Sequence, residues 1–195
     1  KKMSNGETRY FHGQLVAALT NAKGGYALPL YYEPIENEPG ADEYVKNDCE
    51  LNAAKRLLVD MKRVYPKRNF CFLSDNLLAV TPLVNLVLSK SWHFIFTAKP
   101  DRNKELFDWY EFLKDKRTTI EDTNERGNRQ VYSYQNHLPL AQFKSEDTAV
   151  WVNLIEYSEF RPDGKRVYYN TWITDFEVTN DNVKKLAQGG RARFA

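Results

Sequence analysis

Apolar and polar positions alternate at period two along "RYFHGQLVAALT" (9 to 20), where Tyr10, His12, Gln14 and Val16 stand against Phe11, Gly13, Leu15 and Ala17. That pattern predicts a β-strand. "NAKGG" reads as a turn, and "YALPLYYEPI" (26 to 35) as a second strand that completes a hairpin. Pro29 and Pro34 keep that strand at an edge or end it early. The period then lengthens. In "KNDCELNAAKRLLVDMKRVYP" (46 to 66), Leu51, Ala54, Leu58, Met61 and Tyr65 fall on one helical face. Asn47 is the expected N-cap, with Glu50 closing a capping box, and Pro66 stops the helix.

Two short apolar runs follow, each with a helix signal nearby. "NFCFLSD" and "HFIFTAKP" (93 to 100) are continuous rather than alternating, as in strands buried on both faces. Between them "TPLVNLVLSKSW" (81 to 92) reads as a helix capped by Thr81, with Pro82 at its first position. The first hundred residues therefore read β-β-α-β-α-β, which predicts an α/β fold with a mixed sheet and covered faces.

The pattern changes after Pro100. "DRNKELFDWYEFLKD" begins helically, and from about Thr118 alternation returns in a Tyr- and Arg-rich stretch. "RQVYSYQNHLPL" and "AVWVNLIEYSEF" are strands, and "RPDG" turns into the strand "KRVYYNTWIT". "VTNDNVKKLAQGGRARFA" returns to helix, with Thr179 or Asn180 as cap. The expected organisation is a core over 1–100, a β-rich insertion over 101–173, and a return to the core over 174–195.

Composition narrows the classes. In 195 residues, 42% are hydrophobic and 28% charged, with a formal net charge of +2. The total charge therefore does not indicate nucleic-acid binding, although a local basic patch can. Four Trp, twelve Tyr and eleven Phe favour an ordered fold. Cys49 and Cys71 show no metal spacing and read as buried free thiols, which suits a reducing, cytoplasmic compartment. No apolar run approaches about 18 residues, so no membrane span is predicted. His12, His93 and His137 share no spacing that suggests a site. No GxSxG, GxGxxG or P-loop pattern points to another chemistry.

The candidate chemistry centres on Asp75. By position alone it is a turn residue after a strand, or a carboxylate held at a strand end. "NDCELNAAKRLL", "LSDNLLAVTPLVNLVL", "FIFTAKP" and "TWITDFEVTNDNVKKLAQGGRARF" occur in an order that resembles bacterial insertion-sequence transposases of the DDE type. The resemblance is closest over 46–100 and 170–194. It implies a ribonuclease-H-like mixed sheet flanked by helices, with the β-rich insertion before the last helix. It also implies three carboxylates that bind two Mg²⁺ or Mn²⁺ ions, with Asp75 the second. Two ions about 3.5–4 Å apart activate the attacking oxygen and stabilise the leaving one in displacement at phosphorus. Carboxylates suit such hard cations.

The resemblance implies DNA as partner, at transposon ends and at target, a homodimer on paired ends, and a nucleoid-associated protein. It places Arg193 where an Arg precedes the third carboxylate, a Glu. Gly190 stands where a Tyr often accompanies that Arg. The first and third carboxylates have no counterpart here. The chain therefore reads as a segment of a longer protein, expected not to catalyse alone. A non-catalytic DNA- or protein-binding module of the same fold is the alternative.

Lys99, Arg191 and Arg193 are candidates for phosphate contact, with ordinary surface charge an equal reading for Lys99. Asp48 and Glu50 read as helix-terminal charges, and Asp175 as a structural strand-end residue. Arg126, Arg129, Tyr132 and Tyr134 interleave base and aromatic, and read first as an amphipathic strand.

Overall fold

The computed structural model describes residues 13–21, 27–35, 48–143 and 145–192. The chain forms two compact units that divide between Lys67 and Arg68. It is mixed α/β, with four α-helices among the described residues, a two-stranded sheet and a mixed six-stranded sheet.

The first unit holds β1 (Gly13–Thr20), β2 (Ala27–Ile35) and α1 (Glu50–Val64). The two strands pair with each other, as the hairpin reading expects. The buried stripe of α1 is Ala53, Ala54, Leu57, Leu58 and Met61. Its start differs from expectation: Cys49 holds the cap position with no side-chain cap bond, and Asn47 lies outside the described residues. Arg56 ties α1 to β2, pairing with Glu33 at 2.5 Å and Asp48 at 2.7 Å and donating to the Pro34 carbonyl at 3.0 Å. Tyr65 Oη adds a bond to the Leu30 carbonyl.

The second unit is built on the six-stranded sheet, in the order β3-β4-β8-β7-β6-β5. Its strands are β3 (Cys71–Ser74), β4 (His93–Thr97), β5 (Thr118–Thr123), β6 (Arg129–Pro139), β7 (Trp151–Phe160) and β8 (Arg166–Thr174). Only β3 and β4 run parallel; every other neighbouring pair is antiparallel. α2 (Thr81–Ser89) makes the crossover between the parallel strands, and α3 (Lys104–Phe112) follows β4. β8 pairs directly with β4, so the strands of the Tyr-rich stretch continue the same sheet as the core strands.

Alternation along the strands sorts the core into two faces. One face carries Ile95, Tyr134, Ile155, Tyr157 and Trp172, which cluster with Val183, Leu186 and Ala187 of α4 (Val183–Arg191). The other presents Phe94, Phe96, Leu154 and Ile173, all at most 1% exposed. α4 sits very close to its face. A Cβ at Gly189 would lie 3.2 Å from Ile95, and one at Gly190 would lie 2.6 Å from Trp172 Nε1.

β4 is buried, as its apolar run predicts. β3 is not: in the described sheet it lies at one edge, with Cys71 exposed and Phe72 and Leu73 half-buried. Phe70 and Phe72 are apolar because they pack on Trp92, with centroids 5.5 and 5.2 Å away. Both thiols are free, and neither is the buried cysteine expected: Cys49 is half-buried and Cys71 exposed. Helix caps also shift. Val80, not Thr81, caps α2, and Asn182, rather than Thr179 or Asn180, caps α4. Among the described residues no helix is long and apolar enough to cross a membrane.

Candidate functional site

Parallel strands put their carboxyl ends at the same edge of a sheet, and α/β sites lie beyond such ends. Here Ser74, the last residue of β3, pairs with Phe96, one residue before β4 ends at Thr97. Asp75 follows β3 at once. Its Oδ1 accepts the Leu77 N–H at 3.0 Å, while its carbonyl accepts the Leu78 N–H at 3.3 Å. Asp75 therefore builds the turn that leads into α2, as the simpler reading of the sequence expects.

The loop after β4 is fastened to the loop after β3 by one buried carboxamide. Asn103 is 7% exposed. Its Nδ2 donates to the Ala79 carbonyl at 2.9 Å, and its Oδ1 accepts the Lys99 N–H at 3.3 Å. Lys99 is exposed, and its ammonium has no partner among the described residues.

β8 runs past these ends. Its ladder with β4 stops at Thr97–Trp172, and Ala98 adds one more bond to the Thr171 carbonyl. Residues 166–170 pair with β7 alone in the described sheet. The result is an open groove of about 610 Å³. Asp75 and Asn76 line it from β3, Thr97 and Lys99 from β4, Tyr168, Tyr169 and Asn170 from β8, and Arg191 from the last turn of α4.

Arg191 is held from behind. Its Nη1 donates to Glu159 Oε2 at 3.4 Å and Tyr157 Oη at 3.3 Å, and its Cζ lies 4.4 Å from the Tyr168 ring centroid. Glu159 is itself 8% exposed. Its Oε1 accepts Asn124 and Asn128 Nδ2, each at 2.8 Å, and its Oε2 accepts the Tyr157 hydroxyl at 3.0 Å. Burial works to raise the Glu159 pKa. The hydrogen bonds from Asn128 and Tyr157, the Arg191 charge and the Asn124 bond outweigh it, and the pKa is lowered. Burial raises the Tyr157 phenol, so it remains a donor. Arg191 Nε and Nη2 make no hydrogen bond among the described residues.

Asp75, Lys99 and Arg191, drawn from three separate stretches of sequence, thus meet along one groove. Arg193 lies outside the described residues, as do His12 and the acidic loop at 36–43. Asp48 accepts the Cys49 N–H and pairs with Arg56, a structural role. Asp175 accepts the Phe94 N–H at 2.9 Å and pairs with His93 Nδ1 at 2.6 Å, at the other end of β4. Tyr132 and Tyr134 are buried strand residues, as the amphipathic-strand reading expects.

Sequence reasoning passed over Asn76, Thr97, Tyr168, Tyr169, Asn170 and Glu159. For Glu159 a signal existed: it shares the phase of Ile155 and Tyr157, a charge on the apolar side of a strand. For Thr97, whose buried Oγ1 has no partner among the described residues, none did.

No profile of a known protein family matches the chain, and no curated protein matches it. Among the described residues, Asp75 is the one carboxylate lining the groove, and no group of three or more His, Cys, Asp or Glu is placed to hold a metal ion. The described residues alone therefore do not fit a two-ion Mg²⁺ or Mn²⁺ site.

Proposed function

We propose that this chain is catalytic-core sequence of a DDE-type transposase with a ribonuclease-H-like fold, acting on DNA strands. The observation that carries the reading is the groove itself. A carboxylate stands at the carboxyl end of a parallel strand, flanked by two cations from separate elements. The phosphodiester backbone is a polyanion, and Lys and Arg supply the sequence-independent part of its binding. The motif order from "NDCELNAAKRLL" to "GGRARF" supports the same reading. In it, Lys99 and Arg191 hold phosphate, and Asp75 contributes one carboxylate to a metal-dependent centre.

One observation favours a second reading, a DNA-binding module without catalysis. Among the described residues Asp75 lines the groove without another carboxylate, and its Oδ1 accepts the Leu77 N–H of the turn.

Asp75→Asn separates the two. Asparagine keeps an acceptor for the Leu77 N–H, so the turn survives while the carboxylate is lost. In the full polypeptide that carries this sequence, Asp75→Asn is expected to abolish Mg²⁺- or Mn²⁺-dependent strand cleavage and to leave DNA binding measurable. Cleavage at near wild-type rate in that variant sinks the catalytic role.

A further inference from the structure

Away from the groove, α3 carries two aromatic rings that the sheet leaves uncovered. Phe112 is 76% exposed and Trp109 36%, and they meet edge to face with centroids 5.7 Å apart. The buried residues of the helix are Leu106 and Tyr110, on a different side. A pair of large apolar rings held together outside the core marks a contact surface.

Charges bracket the rings along one line. Glu105, Trp109, Phe112 and Lys116 follow one another at spacings of four, three and four, which keeps them on one stripe of a helix. Lys116 belongs to the 3₁₀ turn Lys114–Lys116 that follows α3, and its N–H donates to the Leu113 carbonyl at 2.9 Å. The neighbouring charges are already paired: Lys104 with Asp108, and Lys114 and Arg117 with Glu111. Among the described residues, Glu105 and Lys116 form no ion pair. The stripe therefore reads acid, aromatic, aromatic, base, with each charge four residues outside its ring. Turned end for end, it is its own complement. Against an antiparallel copy, Trp109 meets the partner's Phe112 while Glu105 meets the partner's Lys116, all in one register.

We propose that this stripe of α3 is an isologous contact between two copies of the chain, antiparallel about a two-fold axis that passes between Trp109 and Phe112. Two-fold symmetry makes each contact occur twice, so one stripe supplies two ring pairs and two Glu–Lys pairs. The charge order is what selects a second copy: an unrelated apolar partner gives no reason for opposite charges at equal distances from the rings. The rings supply the affinity and the charges fix the direction. One stripe of a short helix buries less than a standard interface, so the dimer is weak and depends on concentration. No groove residue takes part and no DNA is needed, so failure of this contact leaves the nucleic-acid reading standing.

The test is sedimentation of the 195-residue chain without DNA over a concentration series. Wild type is expected to pass from monomer to dimer as concentration rises. Phe112→Ala should weaken self-association by about tenfold or more, because each substitution removes two symmetry-related contacts. Glu105→Lys and Lys116→Glu should each weaken it as well, since each sets like charges opposite one another twice. The double variant Glu105→Lys with Lys116→Glu keeps the net charge of the wild type and again sets Lys opposite Glu, so it should recover the dimer. All four side chains lie outside the buried core, and circular dichroism checks that the variants remain folded. A wild-type chain that stays monomeric throughout the series overturns the proposal. Association that the single reversals do not weaken, or that the double reversal does not recover, overturns it too, because the copies then meet through another surface or in another register.

Discussion

Gly190 lies against the indole of Trp172 so closely that a Cβ there would meet Nε1, Cε2 and Cδ1 at 2.6, 2.7 and 2.8 Å. Trp172 is fully buried at the centre of the sheet, where it cannot yield. Gly190 is thus the contact that lets α4 lie flat and carry Arg191 to the groove. A larger side chain has no place at this position, because the space is already filled by an aromatic from β8.

Gly190→Ala is therefore expected to destabilise the protein by about 1–3 kcal/mol, the usual range for forced overpacking. Gly189→Ala is the control. Its nearest neighbour is the terminal Cδ1 of Ile95 at 3.2 Å, a flexible end that can move. There the helix-propensity gain of about 1 kcal/mol offsets the crowding. Urea denaturation compares the two; equal midpoints for both variants would show that the close approach carries no energy.

Glu159 makes stability depend on pH. Its folded-state pKa is lowered, so the unfolded chain binds its proton more readily. The ionised network contributes stability above the ordinary Glu value of about 4.3, and that contribution is lost as pH falls through the lower folded value. Hydrogen bonds to a charged group are worth about 1.5–3 kcal/mol. Glu159→Gln should therefore be less stable than wild type at pH 7, with the gap closing below about pH 4. A gap that is the same at pH 7 and pH 3 would mean that the charge is not what the network stabilises.

The elements were legible because their signals are local. The helical stripe of α1, the buried run of β4 and the "RPDG" turn each follow from neighbouring residues. The edge position of β3 was not legible, because an apolar run looks the same whether a second strand or a Trp92-centred aromatic cluster covers it. Asp75, Lys99 and Arg191 could be proposed singly from sequence. Their common groove depends on where β4 stops relative to β8, a long-range register that no local pattern encodes. The same cause hid Tyr169 as a groove residue: in "KRVYYNTWIT" it is one more aromatic strand residue until 166–170 is seen to have no neighbour on the β4 side in the described sheet.

Asn103 fixes the distance between the two strand ends that form the groove. It is the buried group joining the Ala79 carbonyl after β3 to the Lys99 N–H after β4, and Ala79 is itself fully buried. Truncating Asn103 leaves that carbonyl without its donor inside the protein. Asn103→Ala is expected to cost about 1–3 kcal/mol, the penalty of a buried polar group left unsatisfied. Asp cannot replace it, because a carboxylate offers no donor to the Ala79 carbonyl. Backbone hydrogen exchange gives the local signature: the Lys99 amide should exchange faster in Asn103→Ala, while amides in the middle of β7 keep their order of protection. Unchanged protection at Lys99 would show that the loop is held by other contacts and that Asn103 does not set the groove's width.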